Sequence, residues 1–232
     1  MRHFAAFVLL VLATGVAPSA LAQATVPDTM AQRLQACTVC HGKEGRATRD
    51  GYFPRIAGKP AGYLYNQLVN FRDGRRRNAA MTHLLDHLSD DYLREIAEHF
   101  AALDLPYPPP RADDLARPGQ ARGEALVQRG DEALRVPACT ACHGAAMTGV
   151  MPAAPGLLGL PRDYLVAQLG AWRSGQRRAH APDCMAQVAQ RLSAEDIGAV
   201  ASWLAAQPVP AAAKAVPAPS TPAPMDCGSA AR

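Results

Sequence analysis

Cys37-Thr38-Val39-Cys40-His41 is the stretch on which the reading of this chain turns, and it recurs as Cys139-Thr140-Ala141-Cys142-His143. C-x-x-C-H is the pattern that attaches c-type haem. Its two thiols add across the two vinyl groups of the porphyrin, and two intervening residues on one turn set the sulfurs at the needed separation. The adjacent histidine then faces the iron as its proximal ligand. A thioredoxin-like C-x-x-C or half of a zinc site is the alternative. Neither requires a histidine directly after the second cysteine, and here one stands there twice.

The repetition extends well beyond the motif. Pro54, Gly58, Tyr63, Leu64, Gln67, Leu68, Phe71, Arg72 and Gly74 have counterparts in Pro155, Gly159, Tyr164, Leu165, Gln168, Leu169, Trp172, Arg173 and Gly175. A third block begins at Met81 and again at Met185. The division that follows is a leader over 1–22, one domain over 23–110, a second over 111–207 and a Pro/Ala-rich tail over 208–232. Pro106-Tyr107-Pro108-Pro109-Pro110 is a stiff extended linker between the two domains.

Each domain reads as three main helices, with no strand signals. Asp28 to Cys37 leads into the first motif. Ala61 to Asp73 carries Tyr63, Leu64, Leu68 and Phe71 at helical spacing, and Gly74 stops it. Ser89 caps the third helix, whose first turn holds Asp90 and Asp91. In the second domain Arg117 to Arg129 precedes the motif, Arg162 to Ser174 repeats the middle helix, and Ser193 caps the last. Domains of under about 100 residues have marginal cores, so a buried haem would fill much of each one. The tail lacks bulky apolar residues and is expected to be extended or disordered.

Residues 1–22 read as a secretory leader, with basic Arg2 and His3, an apolar run from Phe4 to Val16, and Ala20-Leu21-Ala22 before Gln23. The run is short for a bilayer span; an uncleaved anchor is the alternative. The expected location is the periplasm, with peripheral membrane association as a further option. Against 20 Asp+Glu stand 24 Lys+Arg, for a net charge of +4. Haem propionates would lower it further, which argues against a nucleic-acid partner. Arg75-Arg76-Arg77 reads as a solvated helix end, with a propionate partner or docking edge as the functional alternative, and Arg177-Arg178 invites the same two readings.

A second axial ligand must come from downstream of each motif. Met81, His83 and His87 are the candidates in the first domain; Met147, Met151, His180, Cys184 and Met185 are those in the second. The repeat selects Met81 and Met185, because each lies seven residues before a Leu-Ser pair, Leu88-Ser89 and Leu192-Ser193. The alternative is that both are core methionines. Pro54 and Pro155 lie between motif and middle helix, where a carbonyl could take the free N–H of His41 or His143 and fix its ring; loop rigidity is the alternative role.

On CTVCHG, FPRIAGKPAGYLYNQLVNFRDGRR, MTHLLDHLSDDYLREIAEHF and their second-half partners, residues 28 to 207 resemble the dihaem cytochromes of the c4 type. The resemblance implies an all-α fold of two tandem class I cytochrome c domains, each wrapped around one covalent haem c. It also implies His41/Met81 and His143/Met185 ligation, and haems that meet near the domain interface through their propionates. Where the family often has Gln after the loop glycine, this chain has Lys59 and Leu160. The implied role is an electron carrier rather than an enzyme, passing electrons to a terminal oxidase or from a periplasmic dehydrogenase. The alternatives are a fixed cytochrome subunit of a dehydrogenase complex and a dihaem redox enzyme, a peroxidase or thiosulfate-oxidising cytochrome.

Four cysteines serve haem, which leaves Cys184 and Cys227. In an oxidising compartment this even remainder points to one disulfide. Thiolate ligation by Cys184, and free or intermolecular thiols, are the alternatives.

Overall fold

The computed structural model describes residues 27–48 and 50–230. The expected leader over 1–22 lies outside the described residues. The chain is mostly helical, and its two halves repeat one arrangement.

In the first half, α1 (Met30–Arg33) and α2 (Gln35–His41) run nearly end to end, and α2 finishes on the motif histidine. The middle helix α3 (Ala61–Arg72) packs against α5 (Asp90–Ala102), which Ser89 caps by accepting from the Tyr92 N–H. Their shared core holds Leu64, Val69, Phe71, Leu93, Ile96 and Phe100. Between them lies α4 (Ala79–Leu85), a short helix absent from the three-helix expectation. Asn78 starts it by accepting from the Met81 N–H at 3.1 Å.

The second half opens with α6 (Ala112–Leu115) and α7 (Gln120–Arg129), split by Gly119 in the left-handed region. The motif helix is α8 (Thr140–His143). The middle helix is α9 (Arg162–Arg173), followed by α10 (Cys184–Arg191) and α11 (Ala194–Ala206). Gly123 lets α7 cross α11 closely: a Cβ there would sit 2.3 Å from the Ala199 carbonyl oxygen. Ser193 and Asp196 form a reciprocal capping box at the start of α11. Arg122 ties α7 to that box through Asp196 at 2.8 Å.

Two elements depart from the expected pattern. A two-residue hairpin, β1 (Gly149–Val150) and β2 (Ala154–Pro155), follows the second motif with Gly149 opposite Pro155. Strands this short carry no alternating pattern for a sequence reading to catch. The second departure is the tail, which is extended but docked. Lys214 Nζ donates to the Ala102 carbonyl at 3.2 Å, at the end of α5. Val216 lies parallel to Val150, exchanging hydrogen bonds with Gly149 and Met151. Cys227 is disulfide-bonded to Cys184, and the Ser229 carbonyl accepts from Asn66 of α3 at 3.1 Å. The tail therefore straps both halves. Its prolines reduce the entropy lost on docking, so a few backbone hydrogen bonds and one covalent bond suffice.

Peptide mapping without reduction is expected to recover Cys184 joined to Cys227. Cys227→Ser should raise hydrogen exchange across 208–230. It should lower global stability by less than the roughly 4 kcal/mol that chain entropy assigns to a loop of this size, because most of that entropy belongs to the tail.

Candidate haem centres

Each motif histidine is buried and held by the same hydrogen bond. His41 Nδ1 lies 2.8 Å from the Pro54 carbonyl oxygen, and His143 Nδ1 lies 2.7 Å from that of Pro155. A carbonyl can only accept, so Nδ1 carries the proton and Nε2 keeps its lone pair. Burial pushes both imidazoles toward the neutral form. A neutral ring with a free Nε2 is the state that ligates iron.

The four motif thiols are not joined to one another. Burial raises Cys37 and Cys142 and pushes Cys139 up to about 11, which favours the neutral thiol at each. Among the described residues no three His, Cys, Asp or Glu side chains converge on a point that could hold a metal ion.

The axial candidates separate by environment. Met81, the third residue of α4, packs against the first core. Met185 is the second residue of α10, half-buried, where Asp183 caps the helix by accepting from the Ala186 N–H at 3.0 Å. Its helix begins one residue closer to the methionine than α4 does. His83 and His87 are exposed, Met151 is 43% exposed, and Met147 belongs to the second core. Cys184 has its sulfur in the disulfide and offers no thiolate.

Between the halves lies a feature that sequence reasoning read differently. Arg76 and Arg177 are buried rather than solvated, and their backbones form an antiparallel bridge. Arg76 donates to Gln168 Oε1 at 2.6 Å and to Gln67 Oε1 at 3.2 Å. Arg177 donates to Gln168 Oε1 at 2.7 Å and to Gln67 Oε1 at 2.9 Å. Each amide oxygen thus receives both guanidiniums. The rings of Phe71 and Trp172 lie 4.5 and 3.7 Å from the Arg76 and Arg177 guanidiniums. Burial and its Arg76 neighbour push Arg177 down to about 10. The signal that could have found this is the pairing of Gln67/Gln168 with a basic residue nine positions on in each half.

Neither arginine has a carboxylate partner among the described ion pairs, and the buried Trp172 Nε1 has no acceptor. Two adjacent buried cations and an orphaned N–H call for anionic acceptors. Haem propionates are such groups, so the donor set fits covalent haem: thiols for the vinyls, an imidazole for the iron, cations for the carboxylates.

The comparisons agree with this geometry. A family model described as cytochrome c matches residues 120–207. Cytochrome c4 of Pseudomonas aeruginosa is 35% identical over 175 residues, 74% of this chain and 84% of that protein. The chain belongs to the cytochrome c4 family. The thiosulfate dehydrogenase electron acceptor of Thiomonas intermedia is 37% identical over 177 residues, covering 75% of this chain and 79% of its own. The crystal structure of reduced recombinant cytochrome c4 from Pseudomonas stutzeri superimposes with a TM-score of 0.65 at 30% identity, covering 75% of this chain and 94% of that one. The all-α tandem class I cytochrome c fold and a c-type haem cytochrome are thereby established. No helix among the described residues is long and apolar enough to cross a membrane.

In this cytochrome Arg177→Leu removes donors from both Gln67 and Gln168. It is expected to lower the stability of the holoprotein by about 1–3 kcal/mol. The exposed Arg77→Leu should change it by under about 0.5 kcal/mol. Denaturant unfolding followed by circular dichroism checks both.

Proposed function

We propose that this cytochrome is a periplasmic dihaem electron carrier, with domains over 23–110 and 111–207 and a haem covalently held in each. It accepts electrons from a periplasmic dehydrogenase and delivers them to a respiratory acceptor such as a terminal oxidase. The observation that carries the reading is the duplicated pair of buried histidines, each turned by a proline carbonyl so that Nε2 is free. The likeness to a thiosulfate dehydrogenase electron acceptor makes a thiosulfate-oxidising enzyme the preferred donor.

When bound, each haem supplies reversible one-electron iron chemistry, and two such centres match the two electrons released as two thiosulfate ions couple. The chain's own residues do the rest. Cys37, Cys40, Cys139 and Cys142 would anchor the porphyrins, His41 and His143 would each hold an iron through an imidazole nitrogen, and Met81 and Met185 through a thioether sulfur. Thioether ligation favours the reduced state. With both protein ligands in place at each iron, neither centre would be open to substrate. The disulfide also keeps Cys184 from acting as a thiolate ligand, the feature that would favour an enzyme. Arg76 and Arg177 would receive the propionates at the junction of the halves.

The holoprotein is expected to carry two haems by mass and to show the long-wavelength ferric absorption band of thioether ligation. Met81→Ala and Met185→Ala should each remove about half of that band, and each should open one centre to carbon monoxide. Thiosulfate dehydrogenase with thiosulfate should reduce both centres in stopped flow. A single haem, or a band untouched by both variants, would overturn the ligand assignment. Failure of reduction by that enzyme alone would overturn the preferred donor.

A further inference from the structure

The two halves are not equivalent at one buried position. Lys59 follows Gly58, and the matching residue after Gly159 is Leu160. Leu160 lies in the second core. Lys59 is only 4% exposed, and its Nζ crosses to the other half to donate to the Gly156 carbonyl at 2.8 Å. Gly156 directly follows Pro155, whose carbonyl holds His143.

That loop has no slack. A Cβ on Gly156 would lie 2.5 Å from the Thr148 carbonyl oxygen. The Leu157 N–H donates to the Met147 carbonyl at 2.9 Å, and Pro155 is paired with Gly149 across the hairpin. On the side of the first half, the neighbours of Lys59 are also fixed. The Tyr107 ring lies 3.8 Å from the Arg55 guanidinium and 5.8 Å from Lys59 Nζ. Arg55 donates to the carbonyls of Ala57, Leu105 and Pro106, clamping the linker. Gly159 leaves room for that ring, because a Cβ there would lie 2.4 Å from it.

A lysine here is disfavoured. Burial, with the charge of Arg55 beside it, pushes its ammonium down to about 7, and no described carboxylate pairs with it. The electrostatic field of Lys59 reaches His143, whereas the cation whose field reaches His41 is Arg76.

We propose that Lys59 is a positioning residue for the second haem centre, contributed across the interface by the first half. Its hydrogen bond pins the 155–157 loop that orients His143. Its charge opposes the extra positive charge of the ferric state and so favours the reduced state at that centre.

The inference rests on the dihaem reading, and the mass of the holoprotein tests that reading separately. Three variants decide between charge and hydrogen bond. Lys59→Gln keeps a donor without charge, Lys59→Met removes both, and Lys59→Arg keeps the charge. The measurement is a redox titration at pH 6, where the amine is charged, followed by paramagnetic NMR that reads each centre separately. Hydrogen exchange at the Leu157 amide is read in parallel and reports loop order without reference to electron transfer. At a fixed poise, K59Q should lower the reduced-to-oxidised ratio of the second centre by roughly threefold or more, leave the first unchanged, and keep Leu157 protected. K59M should produce the same selective shift with faster exchange, and K59R should stay near the wild type. A wild-type ratio in K59Q, or a shift shared equally by both centres, overturns the inference.

Discussion

Two guanidiniums buried side by side, with no carboxylate among their described partners, are the constraint around which this molecule is arranged. Like charges at short range in a poorly solvated interface repel. The arrangement persists because Gln67 and Gln168 each accept from both arginines and because aromatic faces cover them. The knot is also unfinished. Its residual positive charge and the orphaned Trp172 N–H make the interface a receptor for carboxylates. A haem whose propionates met these groups would be a structural partner of both halves as well as a cofactor.

The histidine–carbonyl bonds act on a smaller scale. They fix a tautomer, and they fix a ring plane by tying it to a loop that is itself tied to the sheet or to α5. In the first half the Ile56 and Ala57 N–H groups donate to the Gly45 carbonyl, and Gly58 donates to Phe100. In the second half the β1–β2 hairpin does the same task. The same function is therefore supported by different local structure in the two repeats, and Lys59 adds a support that only one of them has.

The fold class was legible because duplication doubles every signal. Two C-x-x-C-H motifs at matching registers exclude most readings of either one, and Ser89 and Ser193 mark helix starts that the structure places at those residues. The helices α4 and α10 were not foreseen. They are seven and eight residues long, too short to show a periodic face, and their caps Asn78 and Asp183 sit in loops where such residues are common. The burial of Arg76 and Arg177 was read as exposure because a run of arginines is usually solvated. What overrides that habit is the partner half, a tertiary fact that local pattern does not carry. Lys59 was visible only as a departure from the family pattern, and its meaning depends on Gly156, a residue 97 positions away.

The strap from 208 to 230 closes through Cys227 and Ser229, which follow both halves in the sequence. A polypeptide is made from its N-terminus onward. The residues of both C-x-x-C-H segments, of both middle helices and of the Arg76–Arg177 bridge are therefore made before Cys227 is. The clasp reports on the assembly of the halves, because it closes only where Cys184 and Asn66, one from each half, stand at the spacing the tail can span.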